Sequence, residues 1–348
     1  MGEWKMAKKA AKSAKELSEA LLNPRKNGFF KVSEEKLEKA DKFCEGYKAF
    51  LDSAKTERES VEYAVKAAEK HGFVPFDPAH KYAPGDKVYA NNRGKALCLA
   101  VIGKEGCKNG VRIAAAHIDN PRLDLKPIPL YESSEMAYLK THYYGGIKKY
   151  QWTAIPLAMH GVVIKRDGTC VNVCVGEEPG DPQFTITDIL PHLGADQAKK
   201  TLGGAFTGED LNILVGSRPV RDEEAKEGYK LNVMRLLNEK YGIVEADLIS
   251  AEIEFVPAFK ATDIGFDRSM IGAYGHDDRV CAFAELAALL ALDKPEKTAV
   301  CIFADKEEIG SEGVSGMQGD YFEYVMASLC HAQGVGLREC LAHSFCLS

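Results

Sequence analysis

A chain of 348 residues is long enough for about two domains. Its 45% hydrophobic and 28% charged residues are ordinary for a soluble globular enzyme. The net charge of −6, without a basic stripe, argues against nucleic acid as the main partner. No apolar run is long enough to span a bilayer, so the sequence predicts no membrane segment.

The chain begins with a lysine-rich segment, residues 1–24, which predicts an amphipathic helix ended by Asn23-Pro24. The segment lacks the apolar core and cleavage site of a signal peptide, so a cytoplasmic protein is expected. Ten cysteines without a C-x-x-C pair fit reduced thiols, most of them small buried hydrophobic residues. Ser33 then opens a helical pattern that runs to about His71 and is closed by Gly72.

The predicted secondary structure changes in character twice along the middle of the chain. Runs 95–103 and 111–119 predict two strands of an α/β layer, and short β-like runs then appear at 154–166, 170–176 and 184–190. A helical period covers 223–242, and the α/β pattern returns with a strand at 248–259, a helix at 280–292 and a strand at 298–305. The sequence therefore predicts a split α/β domain, 1–126 and 248–348, that carries a β-rich insertion at 127–247.

A histidine and an aspartate end the strand predicted at 111–119. His117 and Asp119 lie two positions apart, so on a strand they share a face and can touch. A carboxylate beside an imidazole fixes its tautomer, as is usual behind a metal-binding histidine. A satisfied His–Asp pair in the core explains the two residues equally well.

Two acidic clusters occur in the returning α/β part. Asp277 lies in the stretch GHDDR, 275–279, where a helix begins, and could be a simple N-cap. Glu307 and Glu308 follow an apolar strand, where they repel one another unless a cation lies beside them. A solvated acidic loop is the alternative.

Taken together, the three clusters predict a metal site. Each borders an apolar strand or helix, so all three can meet at the carboxyl edge of one sheet. One His, one Asp and one Glu suit zinc or a related divalent ion, and the extra Glu suits a general base.

The three motifs HIDNPR, GHDDR and KEEIGSEG, in this order around a β-rich insertion, resemble the aspartyl aminopeptidase/vacuolar aminopeptidase I family. TITDILPHLG, LNILVGSRP and HYYGGIKKYQW are similar to the family's insertion. The resemblance implies a central mixed sheet in an α/β/α zinc-exopeptidase fold with two metal ions, zinc foremost and cobalt or manganese as alternatives. It also implies peptide substrates with a free N-terminus and a homo-oligomer of dimers, up to a dodecamer as in the family.

The resemblance assigns a role to each matching residue. His117 is similar to a ligand of one zinc, Asp277 to the bridging ligand and Glu308 to a ligand of the other zinc. Asp119 resembles the partner that orients the histidine, and Glu307 the general base. His192 resembles a histidine that the insertion lends to a neighbouring subunit's site, where it would donate to the developing oxyanion.

The match departs from the family after LAHSFCLS, 341–348, where the family continues with a ligating aspartate and, much later, a ligating histidine. The expectation is therefore that these residues are a piece of a longer polypeptide. Lys148, Lys149 and Arg279 are basic candidates for a preference for acidic N-terminal residues. Two other functions stay open: a deacylase or carboxypeptidase on the same metal scaffold, or an inactive assembly subunit.

Overall fold

The computed structural model describes residues 13–23 and 25–348. Two compact units divide the chain, residues 1–46 and 47–348. The helix expected at the N-terminus lies partly outside the described residues, and its described part is a helix over Ala14–Leu21, capped by Ser13. In the described part of the chain, no helix is both long and apolar enough to cross a membrane.

The helices of the described residues are α1 (Ala14–Leu21), α2 (Glu34–Ser53), α3 (Glu57–Lys70), α4 (Gly228–Tyr241), α5 (His276–Leu290), α6 (Tyr321–His331) and α7 (Leu337–Ala342). The strands are β1 (Val74–Pro75), β2 (Lys87–Asn92), β3 (Ala96–Val101), β4 (Arg112–His117), β5 (Arg122–Ser133), β6 (Met136–Tyr144), β7 (Leu157–Ile164), β8 (Cys170–Val175), β9 (Ile213–Gly216), β10 (Glu252–Pro257), β11 (Thr262–Ile264), β12 (Met270–Gly272), β13 (Ala299–Ala304) and β14 (Phe345–Leu347).

A mixed six-stranded sheet forms the α/β part, with strand order β1-β2-β3-β13-β4-β14. Apolar side chains of α3 and α5 cover one face of this sheet, and those of α6 and α7 cover the other. The α/β/α fold expected from the sequence is confirmed. Every residue of β3 is buried, as expected for a central strand covered on both faces.

The long helix expected from Ser33 to His71 is wrong, because two helices occupy this stretch. α2 ends at Ser53, and Thr56 caps a new helix, α3, by accepting a hydrogen bond from the backbone N–H of Glu59 at 3.2 Å. The Glu59 carboxylate accepts in return from the backbone N–H of Thr56 at 3.0 Å. This reciprocal capping box supplies the partners that the first turn of a helix lacks.

A second six-stranded sheet, in the order β8-β7-β10-β5-β6-β9, forms the β-rich part. Its strands extend beyond the range 127–247 expected for an insertion, because β5 begins at Arg122 and β10 ends at Pro257. β10 was expected in the α/β sheet, but it pairs with β5 and β7 instead. The run 184–190 forms only isolated bridges and no strand.

The mixed sheet brings the sequence motifs to one edge. β4 and β13 run parallel, with Ala304 opposite His117, so both strands end at the same side of the sheet. The N-terminal end of α5 follows close by, since α5 packs against these two strands. The carboxyl ends of β4 and β13 therefore meet the start of α5.

Candidate metal centre

His117 is the last residue of β4 and is 9% exposed. Its Nε2 lies 3.2 Å from Asp277 Oδ1 and 3.6 Å from Glu307 Oε2. Its Nδ1 lies 2.9 Å from the backbone carbonyl oxygen of Asp119. The carbonyl is a better acceptor here than the Asp119 carboxylate, whose Oδ1 is 3.4 Å away. The Nδ1–H is thereby fixed, and Nε2 faces the carboxylates.

Asp119 is fully buried, and its carboxylate organises the loop after β13. Oδ1 accepts from the backbone N–H of Glu307 and Oδ2 from that of Glu308, both at 3.2 Å. The Tyr144 hydroxyl donates to Oδ2 at 2.7 Å. Asp119, expected to orient the histidine, therefore lies beside His117 and also holds the Glu307–Glu308 turn.

Asp277 lies at the irregular beginning of α5, where its backbone angles are not helical. The Asn120 side-chain amide donates to the Asp277 carbonyl oxygen and holds it beside the end of β4. Gly275 has φ +84°, and a Cβ there would lie 2.9 Å from Asn120 Oδ1 and 2.7 Å from Arg279 Nη1. A glycine is therefore required for this approach. The Asp277 side chain remains 90% exposed, which leaves its oxygens open to a cation.

Glu307 and Glu308 begin a single 3₁₀ turn, Glu307–Ile309, directly after Lys306 with φ +67°. The turn is tight, since the Lys306 carbonyl oxygen accepts from the backbone N–H of Ser311 at 2.6 Å. Gly145 faces it, and a Cβ at Gly145 would lie 3.1 Å from the Glu308 Cβ. The backbone on both sides therefore restricts where the Glu308 carboxylate can lie.

The electrostatics of this cluster favour a bound cation. Burial raises the pKa of Glu308, and the neighbouring carboxylates of Asp119, Asp277 and Glu307 raise it further. Burial opposes the charged form of His117, but the hydrogen bond and charge of Asp119 and the charge of Glu307 raise the pKa of His117 to about 9. A divalent ion would relieve the repulsion among the carboxylates, as the proton on His117 does here. The donor set of one imidazole and carboxylates fits zinc and related ions.

Tyr144 and Arg122 support the centre and were not identified from the sequence. The Arg122 guanidinium lies 3.8 Å from the centre of the Tyr144 ring, and its Nε lies 2.8 Å from Asp124 Oδ1. Arg122 also lies 3.3 Å from the fully buried Glu57 and 3.2 Å from Glu254. A sequence signal existed for both, since Arg122 ends HIDNPR and Tyr144 lies in HYYGG. However, an arginine or a tyrosine in a motif does not by itself indicate a supporting role behind a metal centre; the folded structure is needed to see it.

An open cavity of about 720 Å³ adjoins Glu308. Its wall includes Gly145, Tyr144 and Lys306 from the side of the centre, and Glu252 and Ile253 from β10. Within the described residues, Lys306 makes no ion pair. The cavity therefore gives access from solvent to Glu308, with the Lys306 ammonium group in its wall.

The remaining candidates lie elsewhere. His192 is exposed in the loop between β8 and β9. Lys148 is exposed, and the Lys149 ammonium lies 5.1 Å from the centre of the Tyr143 ring. The expectation that Arg279 is available to substrate is wrong, because its side chain is fully buried and donates to the carbonyl oxygens of Lys55 and Ile118.

Sequence comparison identifies the family of the chain. The profile of the Aminopeptidase I zinc metalloprotease (M18) family matches residues 50–348. A Clostridium acetobutylicum protein named probable M18 family aminopeptidase 1 is 49% identical over 336 residues, which cover 94% of this chain and 72% of that protein. The Saccharomyces cerevisiae vacuolar aminopeptidase 1 is 25% identical over 319 residues, 83% of this chain and 61% of that protein.

Solved structures agree with this assignment. The crystal structure of an M18 aminopeptidase from Thermotoga maritima has a TM-score of 0.87 at 43% identity, covering 94% of this chain and 72% of that one. The structure of the S. cerevisiae mApe1 dodecamer has a TM-score of 0.69 at 23% identity, covering 87% of this chain and 70% of that one, and supports the fold alone. From the profile match and these relatives, the chain belongs to the M18 family of aminopeptidase I zinc metalloproteases.

Proposed function

We propose that this M18 aminopeptidase removes N-terminal residues from peptides with two divalent ions at the edge of its mixed sheet. The observation that carries the proposal is that carboxylate oxygens of Asp277 and Glu307 lie within 3.6 Å of the His117 Nε2. Glu308 is the next residue after Glu307. The same residues belong to a family whose members are zinc metalloproteases.

Three residues would hold the two ions. His117 would bind one ion and Glu308 the other, with Asp277 shared between them. When bound, the ions would bind the free α-amine of the substrate and polarise the scissile carbonyl. Zinc is the proposed ion, and cobalt or manganese could occupy the same nitrogen and oxygen donors.

Glu307 would act as the general base. Its carboxylate would take a proton from the attacking water and return it to the leaving amine. Asp119 would position both His117 and the two glutamates. Its carboxylate lies beside the His117 imidazole and accepts hydrogen bonds from the backbone N–H groups of Glu307 and Glu308. The 3₁₀ turn would then keep the base at a constant distance from the histidine.

His192 would complete the centre from a neighbouring subunit. Its exposure in a loop of the β-rich part supports this role, since an exposed histidine is free to enter another copy's site. There it would donate to the negative charge that develops on the carbonyl oxygen. The proposal requires a homo-oligomer, and the dodecamer named for the S. cerevisiae mApe1 supports one.

We also propose two parts with different tasks. Residues 1–126 and 248–348 would form the catalytic α/β part, and the β-rich insertion at 127–247 would mediate assembly. The second sheet supports an insertion that extends to the strands Arg122–Ser133 and Glu252–Pro257 at its two ends. A cytoplasmic location is proposed on the ten free cysteines.

A preference for acidic N-terminal residues is proposed for the cavity beside Glu308. Lys306 lines this cavity and has no ion-pair partner among the described residues, so its ammonium is available to a substrate carboxylate. Cleavage of peptides that differ only in an N-terminal Asp, Glu, Ala or Leu measures this preference. Faster cleavage of the neutral pair would contradict it.

The reaction is tested with matched peptides that have a free or an acetylated N-terminus. An aminopeptidase cleaves only the free peptide, since the α-amine is one of the groups bound at the centre. Cleavage of the acetylated peptide alone would favour a deacylase or a carboxypeptidase. An assembled protein that cleaves neither peptide and contains no divalent metal would favour an inactive assembly subunit.

A further inference from the structure

Three cysteines from separate segments meet on the far face of the mixed sheet. Cys107 lies in the loop before β4, Cys330 in the last turn of α6 and Cys340 in α7. Their Sγ atoms all lie within 4.8 Å of one another, and none of the three side chains is exposed. They belong to the core between the sheet and these two helices, away from His117 and Glu307.

The backbone around the three thiols is closely packed. Gly106 has φ +59°, and a Cβ there would lie 2.1 Å from Gln333 Oε1. The same Gln333 oxygen accepts from the backbone N–H of Cys107 at 2.8 Å. Gly110 has φ +77°, and a Cβ there would lie 2.1 Å from the His343 carbonyl oxygen. Two left-handed glycines thus allow the loop to pack directly on the α6–α7 segment, with the thiols between them.

The short helix α7 needs such a connection. It has six residues, too few to be stable from its own hydrogen bonds. It is held by Cys340 in the core, and by Ser344, whose Oγ accepts from the backbone N–H of Val111 at 2.9 Å. The chain then continues into β14, which pairs with β4, the strand that ends at His117.

Proximity of thiols also has a simpler explanation, because buried cysteine packs as a small hydrophobic residue. That explanation does not require three thiols from three segments to point at one another. Cys98 and Cys301 are equally buried in the same sheet, yet neither joins the group. Soft thiolate ligands select zinc and cuprous ions, and these three thiols are shielded from solvent.

We propose that Cys107, Cys330 and Cys340 bind one thiophilic metal ion, zinc or cuprous copper, that fastens α6 and α7 to the loop before β4. Binding converts three thiols to thiolates and releases three protons to solvent, with no change in oxidation state. The ion lies apart from the catalytic pair and has a structural role. Its loading stabilises the sheet edge at β14 and β4.

Cadmium is a suitable probe, because cadmium bound to thiolate absorbs in the ultraviolet and cadmium bound to imidazole or carboxylate does not. The full-length reduced protein, freed of metal, is titrated with Cd²⁺. The proposal predicts a thiolate-to-metal band with the amplitude of one cadmium ion per chain bound by three thiolates, to which cadmium at the proposed catalytic pair adds nothing. Competition by Zn²⁺ and, under anaerobic conditions, by Cu⁺ then distinguishes the two ions.

Variants assign the band to the three cysteines. Cys340→Ala is expected to abolish it and to remove the increase in melting temperature that the metal causes. Cys281→Ala is the matched control, since Cys281 is exposed in α5, lies outside the group of three and is expected to leave the band unchanged. The wild-type titration decides the matter even if Cys340→Ala does not fold. No thiolate band in the wild type, a band that survives Cys340→Ala, or a disulfide among the three would overturn the proposal.

Discussion

At the scale of single residues, Asp119 connects the two halves of the centre. It is buried, its oxygens accept from two backbone N–H groups and the Tyr144 hydroxyl, and the imidazole of His117 lies 3.4 Å from its Oδ1. A carboxylate that accepts several such bonds is held in one orientation. Burial opposes its charged form, but His117, Tyr144 and the backbone N–H of Glu308 together lower its pKa. The position of Glu307 therefore depends on residues that touch neither metal nor substrate.

Tyr144→Phe tests this dependence. The change removes the hydrogen bond of 2.7 Å to Asp119 and leaves the ring in place under Arg122. Loss of such an outer contact is expected to weaken metal binding about 10- to 100-fold. Competition with a chromophoric chelator measures the affinity directly.

Tyr143→Phe is the control for this variant, since Tyr143 is the sequence neighbour and its ring is 41% exposed. Its metal affinity should equal that of the wild type. Equal affinity in Tyr144→Phe as well would show that Asp119 needs no support from Tyr144.

At the scale of elements, the strands and helices that border the polar motifs were predicted more accurately than the connections between elements. β4, β13 and α5 were all expected, because continuous apolar runs end at polar motifs. The gathering of the motifs at one edge also followed from the sequence. The break between α2 and α3 was missed, although Thr56 and Glu59 have the T-x-x-E spacing of a capping box, because this spacing lies within a long, otherwise continuous helical pattern.

Other elements depended on tertiary pairing. β10 is apolar like a strand of the mixed sheet, but its partners β5 and β7 decide where it belongs. Arg122 and Glu57 could not be linked from sequence, because a buried ion pair between distant segments has no local pattern. His192 was singled out through the family resemblance alone, and its role across a subunit interface stays a proposal.

Thr56→Ala tests the cap that begins α3. The variant leaves the backbone N–H of Glu59 without its side-chain acceptor, and a cost of about 1 kcal/mol in the free energy of unfolding is expected. Denaturant unfolding followed by circular dichroism measures it. Thr201→Ala is the control, because Thr201 precedes a 3₁₀ turn without making a side-chain cap and should cost little. Equal losses in both variants would remove the capping box as the reason for the helix break.

At the scale of the whole molecule, a buried charge network joins α3 to the second sheet. His160 of β7 lies between Glu59, at 2.7 Å, and Glu177, at 3.1 Å. Lys55 lies 2.7 Å from Glu177. β4 and β13, which lead to the proposed centre, belong to one sheet, and the cavity wall at β10 belongs to the other. The network therefore helps to fix one sheet relative to the other.

His160→Gln is expected to reduce stability in a pH-dependent way. Burial favours neutral His160, but hydrogen bonds with Cys174, Glu177 and Glu59 outweigh it and raise the pKa from 6.5 to about 11. A raised pKa gives stability that is complete below pH 6.5 and is lost as the pH approaches 11. The variant should therefore lose about 3 kcal/mol at low pH, and less as the pH rises.

Unfolding by urea at several pH values measures this difference. His80→Gln serves as the control, since His80 is exposed, and its effect should be small at every pH. A His160→Gln penalty that grows between pH 7 and pH 10 would contradict the network described above.

The central proposal is that Glu307 acts as the base beside two bound ions. The decisive measurement is the metal content and turnover of Glu307→Gln in the full-length protein, with Glu312→Gln, exposed in the same loop, as the matched control. We predict that Glu307→Gln binds two divalent ions per chain like the wild type, while its turnover falls about 100- to 10,000-fold. A fully metal-loaded Glu307→Gln that turns over peptide at the wild-type rate would contradict the account.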